Sequence, residues 1–275
     1  MRAVNFIFSR SIFVSFCAAF LSVQTFILTQ VQVQLSIVTL VFFLTLFFYN
    51  FYAILIKWQV DIVSNNPIVL PKYATNFFLI LVSIIYVFDS VFQSPQLIRI
   101  VLIPGFTSII YLGIMINKGK FFIIKKLGFL KTILLSFTWA YTTVILPSLA
   151  TQNGVSDLAI QVFFMRFVFV LMLGIVFDFR DMQKDRNSNW SSVATLFNKS
   201  QLIGLMLILL LLNSILCYWN LKIVGEIQQF ILMMSTVLAF LFFIISLKKR
   251  NYYFYYFLVD GLMLFSAIAS IIATL

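Results

Sequence analysis

The chain has 275 residues, of which 63% are hydrophobic and only 10% charged, and it carries a formal net charge of +11. That balance excludes a soluble globular domain and points to an integral membrane protein. Histidine is absent, and Cys17 and Cys217 both lie inside apolar runs. The commonest general base is therefore missing, neither a disulfide nor a redox centre is expected, and any metal must be held by oxygen.

A membrane-crossing helix takes roughly 20 mostly apolar residues. Nine such spans are predicted, over residues 11–29, 35–56, 76–93, 97–116, 130–150, 157–178, 202–220, 227–247 and 253–273. Continuous runs such as LMLILLLLNSILCYW and FVFVLMLGIVF lack the alternation of a membrane β-barrel. The connections are short and no Pro/Gly/Ser-rich linker divides them, so residues 1–275 are read as one all-α domain. No small-residue cleavage site follows the first apolar segment and further spans do, which favours a first spanning helix over a removable signal.

Taken in chain order, the connections alternate in charge. Arg2 and Arg10 precede span one, Lys57 and Lys72 follow span two, and Lys118, Lys120, Lys125, Lys126 and Lys131 lie around the start of span five. Arg180, Lys184, Arg186 and Lys199 follow span six, and Lys248, Lys249 and Arg250 follow span eight. Sixteen of the 19 basic residues thus fall on one side. Because basic residues near span ends are retained in the cytoplasm, the N-terminus is expected inside and the C-terminus outside. The positive charge is read as this topology signal plus attraction to anionic lipid, with no nucleic-acid partner. Arg166, in the middle of span six, is expected to face the bundle interior as an ion-pair partner for Asp89 or Asp260. Tyr49 and Trp58 are expected at the membrane interface.

The end of span six reads IVFDFRDMQKDRNSNW, with three of the chain's eight acidic residues within eight positions. At about 100° per residue, Asp178, Asp181 and Asp185 fall within an arc of roughly 60°. Carboxylates gathered this way call for a cation. Mg²⁺ suits hard oxygen ligands and usually completes its shell with water and phosphate oxygens. A plain alternative is a solvated helix end whose acids pair with Arg180, Lys184 and Arg186.

The run FRDMQKDRNSNWSSVATLFN resembles the second aspartate-rich motif of the UbiA-type intramembrane prenyltransferase superfamily, in which D-x-x-x-D follows the sixth helix. Asp181 and Asp185 match that pair and Asp178 extends it. The likeness is greatest to the dihydroxynaphthoate prenyltransferases of menaquinone synthesis. It extends to the nine spans, the segment GFLKTILLSFTWAYTTVILP and the VDGLMLF of the last span, with Asp260 and Gly261. The resemblance implies a nine-helix bundle with a central cavity opening to the cytoplasm, in a prokaryotic inner membrane. It implies Mg²⁺ as cofactor, held by Asp178, Asp181 and Asp185, with Asp181 and Asp185 as the catalytic pair. It also implies an isoprenyl diphosphate as substrate, contacted by Asn50, Lys57, Arg180, Arg186, Lys118 and Lys120. A lipid-soluble, quinone-precursor-like acceptor would take the prenyl group.

The family's first motif, N-D-x-x-D-x-x-x-D, corresponds here to YNFYAILIKWQVD. Asn50 is in place, but the three aspartate positions are Phe51, Ile54 and Trp58, and Asp61 lies three residues too far on. A first Mg²⁺ site is therefore not expected. Two cations neutralise a departing diphosphate far better than one, which weakens the case for transfer chemistry. Lys57, seven residues after Asn50, either supplies a fixed positive charge in the cavity or snorkels to the headgroups. Two functions stay open: an Mg²⁺-dependent prenyltransferase, and a non-catalytic UbiA-like protein that binds lipid or partner subunits. A transporter is a weaker third, since acids at one mouth differ from broken midplane helices. Oligomeric state and acceptor are not legible.

Overall fold

The computed structural model describes residues 11–63, 73–116, 128–151, 154–220 and 225–274, which form ten helices and no strand. They are α1 (Ile12–Leu28), α2 (Leu35–Val63), α3 (Ala74–Gln93), α4 (Leu97–Ile116) and α5 (Leu130–Ala150). After them come α6 (Asp157–Asn187), the short α7 (Val193–Leu196), α8 (Lys199–Asn220), α9 (Glu226–Ser246) and α10 (Phe254–Ile272). Among the described residues, eight helices are long and apolar enough to cross a bilayer, and the chain is a multi-pass membrane protein. The first expected span, α1, is apolar but has only 17 residues. The other spans begin and end near the expected positions except for two: α2 runs on to Val63, and α6 runs nine residues past the expected end at 178.

The continuation of α6 places the whole acidic stretch on a helix rather than in a loop. Ser156 caps its start by accepting the Ala159 N–H at 3.2 Å, Asp157 complements the N-terminal dipole, and Lys184 and Arg186 complement its C-terminal turn. It is also the central element of the bundle. In its most apolar window 61% of residues are buried, against 17% in α3, whose Phe78, Phe88 and Phe92 face outward. α6 packs on α5, α8, α9 and α7, while α1 lies between α2 and α10.

Lipid tails are as apolar as leucine side chains, so close packing and interhelical hydrogen bonds must hold these helices together. Along the α1–α10 contact the Cys17 thiol faces the Asp260 carbonyl at 3.7 Å, and the Gln24 amide donates to the Ser266 and Ser270 hydroxyls at 3.1 and 2.8 Å. In α5 the ring of Pro147 lacks an amide hydrogen, and a π turn spans Tyr141–Ile145 just before it. The Thr143 carbonyl, four residues before the proline, instead accepts the Thr25 hydroxyl of α1 at 2.7 Å. A residue that weakens one helix thus fastens it to another. Cys17 and Cys217 are buried free thiols.

Candidate functional site

The site is built from the first turn of α5, the last turns of α6 and the connection from α6 to α7. Two glycines bring these elements together. A Cβ on Gly128 would lie 2.5 Å from the Trp190 ring, so only glycine lets the approach to α5 pass over this buried tryptophan. A Cβ on Gly174 would lie 2.6 Å from the Thr132 methyl, so glycine lets α5 close onto α6 one turn before Asp178.

That approach carries Lys131 and Thr132 to the acids. Lys131 Nζ lies 2.9 Å from Asp178 Oδ1 and 3.6 Å from Asp185 Oδ2. Asp178 Oδ2 accepts the Thr132 hydroxyl at 2.7 Å and the Val193 N–H, at the start of α7, at 3.3 Å. All three charged side chains are buried, Asp185 completely. Asp178 and Asp185 stand seven residues apart, close to two full turns, so they share a face with the lysine between them. The Asp185 carbonyl accepts the Trp190 N–H at 2.9 Å, which ties the connection back onto the helix end.

Asp181 does not join them. Its two carboxylate oxygens take the guanidinium of the adjacent Arg180 at 2.8 and 3.1 Å, and its side chain is 41% exposed. The Arg180 guanidinium lies over the rings of Phe177, Tyr255 and Tyr256, 4.9 to 5.4 Å from their centroids. The expected single arc of three acids is thus divided in two. Asp178 and Asp185 share one cation, and Asp181 has another.

Carboxylate oxygens are the right donors for Mg²⁺. The arrangement is wrong for it, because an ammonium stands between two of the acids and a guanidinium grips the third. Among the described residues, no group of three or more acidic, cysteine or histidine side chains is gathered closely enough to hold a metal. As arranged, these residues do not fit the ion.

The remaining expected site residues are scattered or lie outside the description. Asn50 is buried, where its Oδ1 accepts the Asn76 amide of α3 at 2.8 Å and its amide donates to the Leu46 carbonyl at 2.9 Å. Arg186 is exposed in the last turn of α6. Lys57 lies in α2 but its side chain is outside the described set, and Lys118 and Lys120 lie outside the described residues. In α2, Ile54 is buried and Trp58 packs against the rings of Tyr73 and Phe77. Ile54 and Trp58 serve packing.

Two expectations are corrected. Arg166 is buried, yet it meets neither Asp89 nor Asp260: its guanidinium donates to Gln24 Oε1 at 2.6 Å and to the Leu21 carbonyl at 3.3 Å. Gln24 in turn donates to Ser266 and Ser270 of α10, so neutral dipoles spread the charge over three helices. Tyr49 is drawn into the bundle, where its hydroxyl accepts the Trp139 indole N–H at 3.1 Å.

Sequence reasoning counted Lys131 only as a topology signal and passed over Thr132. The one cue was a lysine in the first turn of an otherwise apolar helix, in GFLKTILL. Compared with protein-family models, with curated proteins and with solved structures, the chain matches none.

Proposed function

We propose that this chain is a non-catalytic, UbiA-like membrane protein that binds lipid or partner subunits, and that the end of α6 is an ion-pair clasp holding α5, α6 and α7 together. The observation that carries this reading is Lys131, 2.9 and 3.6 Å from the two buried acids. A buried ammonium shared between two carboxylates supplies internally the charge that Mg²⁺ would otherwise supply, and it makes the acids structural. The apolar residues at all three aspartate positions of the first motif support the same conclusion. The proposed arrangement is a nine-helix bundle with α1 as its shortest member and the clasp at the cytoplasmic end.

A second reading, an Mg²⁺-dependent prenyltransferase transferring an isoprenyl group to a lipid-soluble acceptor, is supported by one specific feature. Three carboxylates face two cations, Lys131 and Arg180, so the cluster keeps one net negative charge. Titration calorimetry of the purified protein with farnesyl diphosphate, with and without Mg²⁺, separates the two. The clasp predicts no Mg²⁺-dependent heat. Saturable binding that requires Mg²⁺ and is lost in Asp185→Asn would replace it with the transferase reading.

A further inference from the structure

Two helices long and apolar enough to cross a membrane end at Ser246 and begin at Phe254, and residues 247–253 form the turn between them. This turn, LKKRNYY, holds three basic residues, all exposed, and no acid. A pocket of about 450 Å³ opens there, lined by Lys249, Arg250, Asn251, Tyr253, Phe254 and Phe257 among others. That volume lies within the usual range of ligand clefts, about 300–1,000 Å³. Local bonds set its shape. Arg250 Nε donates to the Ile245 carbonyl at 3.0 Å, which anchors the guanidinium through one nitrogen and leaves two for an anion. Asn251 Oδ1 accepts the Phe254 N–H at 3.0 Å and caps the start of α10. Tyr252 stacks on Tyr256, with ring centroids 4.2 Å apart.

We infer that this pocket binds the phosphate headgroup of an anionic phospholipid. Lysine and arginine supply the phosphate contacts, arginine through paired donors. Phe257 is 53% and Leu258 44% exposed, and in the same pocket as Lys249 and Arg250 they offer acyl chains an apolar wall. That wall distinguishes a lipid from free phosphate. Lysine and arginine at the end of a spanning helix attract such headgroups, and tyrosines sit well at the same depth. The inference does not depend on the reading of the Lys131 clasp, whose residues it does not use.

The test titrates the full chain in neutral detergent with phosphatidylglycerol and reads the fraction of protein retaining lipid by native mass spectrometry. Lys249→Gln with Arg250→Gln is expected to weaken retention by about fivefold per charge removed. Lys184→Gln with Lys199→Gln removes the same charge from other exposed positions and leaves retention unchanged. Lys249→Gln alone, which keeps the Arg250 anchor, gives about half the effect on a logarithmic scale and guards against loss of the fold. Equal losses in both double variants would reduce the effect to net charge and overturn the site. Inorganic phosphate that displaces the lipid completely would overturn the lipid as its occupant.

Discussion

Lys131 Nζ lies 2.9 Å from Asp178 Oδ1 in the interior of the bundle, and this pair joins the start of one spanning helix to the end of another. Asp178 is held at both oxygens, by the lysine on one and by Thr132 and the Val193 amide on the other. Burying a carboxylate is costly unless its hydrogen-bonding capacity is filled, and here almost all of it is.

Removing one partner of such a pair leaves a buried charge uncompensated. Lys131→Met is therefore expected to lower stability by about 3–5 kcal/mol. Thermal unfolding in detergent measures it. Adding Asp178→Asn and Asp185→Asn to Lys131→Met should recover part of the loss, because no unpaired charge then remains. Additive losses would show that the three side chains do not act together.

Asp181 provides the contrast. It is half-exposed and its partner is the neighbouring residue, so Asp181→Asn should change stability by less than about 1 kcal/mol. Asp185→Asn should cost more than Asp181→Asn in the same assay. Equal effects would return the three acids to a single cluster.

Gly174 is expected to be irreplaceable for a steric reason. Gly174→Ala puts a methyl 2.6 Å from the Thr132 methyl, which should cost about 1–3 kcal/mol as α5 is forced off α6. Thr132→Ser removes that methyl and keeps the hydroxyl that bonds Asp178. The double variant should recover most of the loss, and a double variant no better than Gly174→Ala alone would refute the contact.

Arg166 should behave as a hydrogen-bonding residue and not as half of an ion pair. Arg166→Met abandons the Gln24 and Leu21 acceptors, at about 1–3 kcal/mol for the polar atoms left behind. Its effect should add to that of Asp260→Asn within about 0.5 kcal/mol, as expected for uncoupled sites. A larger coupling energy would restore the pairing between them.

Composition and apolar run length were enough to determine the class of this protein, because a chain of continuous 20-residue apolar segments has only helices with which to satisfy its backbone in lipid. Most helix ends could be read within a few residues, since polar and charged residues interrupt the apolar runs there. The acidic stretch was equally visible, and its helical spacing correctly put Asp178 and Asp185 on one face. What they face was not legible. Lys131 is 47 positions from Asp178, and nothing local to either residue says that Gly174 and Gly128 let α5 settle close enough for them to meet. Likewise, a mid-span arginine announces a need for partners, but only the packing of α1 and α10 against α6 decided that they would be Gln24 and a carbonyl. Local pattern specifies which groups must be satisfied. Tertiary packing chooses the partner, because hydrogen bonds and ion pairs act over about 3 Å and the sequence carries no distances.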